Sequence, residues 1–258
     1  PVDVVWETTP RKEPLETPGF NPLCDFNFLM NSQMSPRKNF HSAITWWVEE
    51  FIDQEVGLII KTNSKNNSKM DFERTSGMLQ AVLSQYPDRK CKVQLLHGDL
   101  SPEQMTGLYT HPKIKCLINI AHGEGFGLPL FEAAREGLPI ITIDYGGSRD
   151  FLKHDDKIYY QKVVHNLLQV QPEAVWENII DAESLWAYAD QGSYKMTLRK
   201  VFKDWDNCKS LAVELQPLIE EKFNTESLYA GFVAGVYGDS TDIDEWLQNL
   251  EDELVEHE

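Results

Sequence analysis

The run His122-Gly-Glu-Gly-Phe-Gly-Leu-Pro-Leu-Phe-Glu132 constrains the fold of this 258-residue chain more than any other stretch. Short apolar segments flank it, Cys116 to Ile120 before and Ile140 to Ile143 after. Such runs read as strands buried on both faces, as in parallel sheets. Between them lie a glycine-rich loop and a helix that Glu136-Gly-Leu-Pro139 closes. The unit is strand-loop-helix-strand, and its loop falls at the carboxyl end of a strand, where open α/β sheets bind ligands. Glu124 stands in the loop and Glu132 eight positions on, about a turn into the helix. Loop amides and a helix N-terminus suit phosphates, and each glutamate can accept hydrogen bonds from vicinal hydroxyls. A sugar nucleotide carries both kinds of group.

The same alternation runs through the first two-thirds of the chain. Strands are expected at Asp25 to Met30, Val56 to Ile60 and Val93 to Leu96. A helix over Asn39 to Ile52 places Phe40, Ile44, Trp47, Val48 and Phe51 on one face. A second spans Asp71 to Tyr86 with Asp71 as its N-cap, and Ser101-Pro102-Glu103-Gln104 starts a third. After Ile140 to Asp144 and Gly146-Gly147, a short strand at Lys157 to Gln161 completes the sheet. Alternation at this spacing predicts an α/β fold with a doubly wound parallel sheet over residues 25–171. Residues 1–24 hold five prolines and read as an extended linker. Residues 172–258 read as a helical extension packing on the sheet domain, with helices at Trp176 to Ala189, Ser193 to Lys203, Cys208 to Glu220 and Ser227 to Gly235. The last twenty residues hold nine acids and no Lys or Arg, yet Ile243, Trp246, Leu247, Leu250 and Leu254 share a stripe, so a terminal amphipathic helix is expected.

The formal net charge of −17 argues against a nucleic-acid or anionic-membrane partner. No apolar run reaches the ~18 residues of a membrane span. Cys24, Cys91, Cys116 and Cys208 lack CxxC spacing and read as reduced thiols, which points to a cytoplasmic location. The first residue is proline, as expected of a piece of a longer protein.

Glu124-Gly-Phe-Gly-Leu-Pro129, with Glu132-Ala133, Gly137-x-Pro139 and Gly146-Gly147, closely resembles the donor-site motif of retaining glycosyltransferases of family four, which have the GT-B fold. Ser35-Pro36-Arg37-Lys38-Asn39 resembles the family's loop after the first strand, His97-Gly98-Asp99 the loop after the third, and Pro1-Val2-Asp3 its interdomain segment. The resemblance covers about residues 1 to 165 and implies the C-terminal, Rossmann-like, donor-binding half of such an enzyme. The acceptor-binding N-terminal domain would precede it, and a peripheral membrane location could come through that missing domain.

By this resemblance Glu124 binds donor-sugar hydroxyls and steadies the developing oxocarbenium-like centre. Gly125, Phe126 and Gly127, with Leu128 beside them, present backbone amides to the sugar and diphosphate. Glu132 takes the ribose hydroxyls and Lys38 the diphosphate, with His97 and Gly98 lining the base or phosphate side. Catalysis would rest on Glu124 and Lys38, without a metal or cofactor beyond the UDP- or GDP-linked sugar. An Asp-x-Asp, Asp242-Ile-Asp244, lies in the acidic tail, far from the expected site. One departure stands out: the family's Gly-Arg before the lysine is Ser32-Gln33 here. Gln33 can donate hydrogen bonds but brings no charge, so Arg37 or Lys61 is expected to supply it, Lys61 being favoured. The implied activity is hexose transfer from the nucleotide sugar to a glycan or lipid-linked acceptor. A stand-alone nucleotide-sugar-binding or regulatory module, or an epimerase of the same fold, are the alternatives. His122 could cap its strand or line the site, Asp150 could cap a helix or bind ligand, and Trp46, Trp47, Trp176 and Trp186 read as packing residues.

Overall fold

The computed structural model of the chain describes residues 21–63 and 68–238. Pro1-Val2-Asp3, most of the expected linker and the acidic terminal helix lie outside the described residues. Among the described residues the chain divides into two compact units, 21–216 and from Pro217 onward.

The first unit is built on a six-stranded sheet of β1 (Asn27–Asn31), β2 (Gly57–Thr62), β3 (Lys92–His97), β4 (Ile114–Asn119), β5 (Ile140–Ile143) and a sixth strand, Gln161–Val163. The spatial order is β3-β2-β1-β4-β5 and then Gln161–Val163, and every neighbouring pair is parallel. This is the Rossmann-like α/β fold. Helices α1 (Phe40–Glu50), α2 (Lys69–Leu83), α3 (Pro102–Thr110) and α4 (Leu128–Arg135) make the crossovers. Phe40, Ile44, Trp47, Val48 and Phe51 are all buried, as their spacing requires. Phe28 of β1 meets Trp47 and Phe51 with ring centroids 6.3 and 5.4 Å away. Gly57 opens β2 because a Cβ there would stand 1.8 Å from the buried Asn27 amide oxygen. The α3 start is a full capping box: the Ser101 hydroxyl accepts the Gln104 N–H, and the Gln104 side chain accepts the Ser101 N–H.

Three expectations need correction. Ser68, not Asp71, caps α2, its hydroxyl accepting the Asp71 N–H at 3.2 Å. After the short helix α5 (Arg149–Leu152), residues 157–161 do not form one strand. A small hairpin of β6 (Lys153–His154) and β7 (Lys157–Ile158) precedes β8 (Gln161–Val163), which alone joins the sheet. Finally, Trp176 to Ala189 is not a helix. Strand β9 (His165–Gln169) pairs antiparallel with β10 (Leu185–Ala189), and Trp176 bridges to Ile180 between them. Trp186 and Tyr188 alternate with the buried Ala187 and Ala189, a period of two that a helix cannot satisfy.

Helices α6 (Gln191–Lys203) and α7 (Trp205–Lys222) follow, and the Tyr194 hydroxyl of α6 donates to the Ala43 carbonyl of α1 at 3.2 Å. In the second unit, α8 (Thr225–Tyr237) is capped by Asn224, which accepts the Ser227 N–H at 2.8 Å. No helix among the described residues is long and apolar enough to cross a membrane. All four cysteines are free, and burial pushes the thiols of Cys91, Cys116 and Cys208 up.

Phe28→Ala would leave a cavity among Phe26, Trp47 and Phe51, so urea unfolding should show a loss of about 3–5 kcal/mol.

Candidate functional site

Strands β1 and β4 are neighbours, with Leu29 opposite Leu117, so their carboxyl ends emerge side by side. The β4–α4 loop carries the glycine motif. Gly127 caps α4 with φ at +86°, and Pro129 sits in the first turn. The second glycine pair holds this loop from beneath. Gly147 N–H donates to the Glu124 carbonyl at 3.1 Å, and a Cβ on Gly147 would stand 1.8 Å from the Gly125 carbonyl oxygen. Gly146 adopts φ +88°, and a Cβ there would meet the Glu124 carbonyl oxygen at 2.6 Å. Only glycine permits this approach of two backbones. Phe126 turns its ring toward Phe131 and Phe151, with centroids 5.3 and 5.1 Å away, which anchors the loop tip.

The Glu124 carboxylate is only 10% exposed and is met from two loops. Lys38 Nζ donates to Oε1 at 2.5 Å and Arg37 Nη1 to Oε2 at 3.3 Å. Arg37 also donates to the Gly123 carbonyl. Asn119, at the end of β4, donates to Oε1 at 3.0 Å while its own amide oxygen accepts the Ala121 N–H at 2.9 Å. Burial alone would raise the Glu124 carboxyl. The bonds from Asn119 and Lys38 and the charges of Lys38 and Arg37 outweigh it and hold the group below the usual carboxylate range.

Glu132 has a different surrounding. Tyr109 donates its hydroxyl proton to Oε2 at 2.8 Å, and Asn31, at the end of β1, donates to that hydroxyl oxygen at 2.7 Å. Burial dominates and pushes the Glu132 carboxyl up, against the Tyr109 bond and the charges of Arg135 and Lys61. Lys61 is half-buried at the end of β2. Burial lowers its ammonium against the pull of Asp99 and Glu132.

Of the residues singled out by sequence, Lys38, Arg37 and Glu124 converge with the glycine loop. Glu132 and Lys61 form a second group, so Arg37 rather than Lys61 stands beside Lys38. Gln33 is exposed in the β1–α1 loop and Leu128 is the first residue of α4. Gly98 sits at φ +104° after β3. His97 turns its ring to α2, where Nε2 lies 3.0 Å from the Asp71 carboxylate and Phe72 packs edge-on. His122 is buried and donates through Nδ1 to the Ala187 carbonyl at 2.8 Å, which makes it an anchor of β10. Sequence reading missed Asn119, Tyr109 and Asn31. Asn119 did leave a signal, as the polar residue of an otherwise apolar strand end.

Residues 90–184 match the family model described as glycosyl transferases group 1. Among solved structures, sucrose-phosphate synthase from Thermosynechococcus elongatus is similar at TM-score 0.58 and 17% identity, over 83% of this chain and 45% of that one. HepE from Anabaena, in complex with UDP and glucose, is similar at TM-score 0.56 and 14% identity, over 82% and 48%. The C-terminal domain of the group 1 glycosyl transferase LpcC from Francisella tularensis is similar at TM-score 0.51 and 14% identity, over 87% and 98%. The chain thus spans about half the length of the first two structures and nearly all of the isolated C-terminal domain. A comparison with curated proteins finds no match. At these identities the likeness establishes the fold they share.

Because the folded-state carboxyl of Glu124 lies below its unfolded value, its contribution to stability is present above the ordinary glutamate range. It is lost as pH falls through the depressed value. Glu124→Gln should therefore flatten the acid limb of a stability-against-pH curve measured by thermal unfolding; an unchanged limb would contradict the pairing.

Proposed function

We propose that this chain is the donor-binding part of a metal-independent, retaining glycosyltransferase that moves a hexose from a UDP- or GDP-linked sugar to a glycan or lipid-linked acceptor. The observation that carries the reading is the junction of Lys38 and Arg37 with Glu124 over the glycine loop. The match of residues 90–184 to group 1 glycosyl transferases supports it, as does the complex of the similarly folded HepE with UDP and glucose.

The chemistry follows from the charges. Departure of a nucleoside diphosphate leaves negative charge on the β-phosphate. Lys38, Arg37 and the first amides of α4 supply the positive charge and donors that stabilise it. Arg37 fills the place that Gln33 leaves uncharged. Glu124, held anionic, accepts hydroxyls of the donor sugar and faces the positive charge that develops at its anomeric carbon. Glu132 has acceptor capacity for the ribose diol, with Lys61 beside it. The acceptor would be held by a further domain in a cytoplasmic or membrane-peripheral enzyme.

A second reading, a stand-alone nucleotide-sugar-binding or regulatory module, draws on the Ser32-Gln33 departure. Turnover of a nucleotide sugar by this chain joined to an acceptor domain separates the two.

Calorimetry should show UDP or GDP binding, weakened about 10- to 100-fold in Lys38→Ala and about tenfold in Arg37→Ala, as charge-assisted bonds of 1.5–3 kcal/mol predict. No binding of either nucleotide at millimolar concentration would count against donor recognition.

A further inference from the structure

Tyr109 is 2% exposed, yet its hydroxyl is a junction between three elements of the fold. Asn31 reaches it from the end of β1, and Glu132 receives it from α4. The bond directions are set by chemistry. The Asn31 Nδ2 group can only donate, so the phenol oxygen accepts there and its single proton is directed to Glu132. A carboxylate in that position must then act as an acceptor. With Oε2 occupied, Oε1 is the oxygen left for a ligand, on a residue that is only partly buried.

We infer that Tyr109, oriented by Asn31, is a positioning residue that fixes the Glu132 carboxylate as an acceptor for the vicinal hydroxyls of the nucleotide ribose. The inference rests on the donor-site reading and adds two residues to it. It assigns selectivity for a ribose diol to a phenol proton that never touches the ligand. A tyrosine serving only as core filler would have no need of an amide donor on one side and a carboxylate on the other. Its replacement by phenylalanine would then leave ligand selectivity unchanged. Here the same replacement frees the carboxylate to turn toward Lys61 and leaves the Asn31 amide without its phenol partner.

Isothermal titration of the chain with UDP and GDP, and with their 2′,3′-dideoxy counterparts, tests this. The unaltered chain should prefer the ribonucleotide about tenfold or more, as hydrogen bonds to a charged group require. Tyr109→Phe should bring that preference to within about threefold, while binding of the dideoxy nucleotide stays unchanged. Asn31→Asp sets a second carboxylate in competition for the phenol proton and should erode the preference in the same way. It also carries the test should Tyr109→Phe fail to fold by circular dichroism. Full retention of the ribose preference in a folded variant overturns the inference. So does an equal loss for ribo- and dideoxynucleotides, which would mark a merely structural role. An unaltered chain that binds both kinds equally overturns the role of Glu132. One that binds neither overturns the donor-site reading, and the inference with it.

Discussion

Withdrawing the Glu124 carboxylate from water organises the loops of this site. An unpaired buried carboxylate carries a penalty of several kcal/mol, so such a group persists only with charge and hydrogen bonds supplied around it. Lys38 and Arg37 come from the loop after β1, and Asn119 comes from the end of β4. Those strands meet where the sheet order reverses, between β1 and β4. Crossovers leave to opposite faces at such a point, and the loops part there to form a ligand-binding crevice. Sheet topology and local electrostatics thus converge on one place, with the parallel pairing of β1 and β4 bringing the cations to the acid.

The two glutamates of the motif carry the same formal charge and are driven in opposite directions. Glu124, among cations, is favoured as the anion. Glu132, among a phenol and buried groups, is penalised as the anion. The stability linked to Glu132 is therefore fully present below the ordinary glutamate range and lost as pH rises through its raised value. The opposing shifts suit a division of labour. A group favoured as the anion can face developing positive charge, whereas an acceptor with one oxygen already engaged can meet neutral hydroxyls.

Much of the sheet was legible because its strands are short apolar runs punctuated by turn residues, and α1 because its five apolar positions fall on one helical face. The glycine motif revealed its place at a strand end for the same reason. The partners of its glutamates were harder to read. Tyr109 is 23 residues from Glu132 and 78 from Asn31, and within the α3 pattern it looks like any core aromatic. The segment 176–189 misled because Trp, Leu and Ala suit either period over a short window. Burial of alternate alanines decides for a strand only once β9 lies beside it. Asn119 was recoverable in principle, since a polar group in a buried strand must find a partner.

That misread hairpin also explains how a loop with glycine at every second position keeps its shape. Glycine loses more conformational freedom on folding than any other residue, so Gly123, Gly125 and Gly127 would leave Glu124 loosely placed without fixed ends. The C-terminal end is fixed by α4 and by Gly147 beneath. At the N-terminal end, His122 O accepts the Ala187 N–H at 3.0 Å while the His122 N–H donates to the Arg37 carbonyl at 2.8 Å. Trp186 stacks on the imidazole with centroids 5.5 Å apart, and Tyr188 lies 4.2 Å away. Burial lowers the His122 imidazole against the Ala187 bond that favours its charge, so the neutral ring is favoured in this anchor. Through His122 the hairpin steadies both the acid-bearing loop and the backbone of Arg37, linking a peripheral two-stranded element to the geometry of the central ion pair.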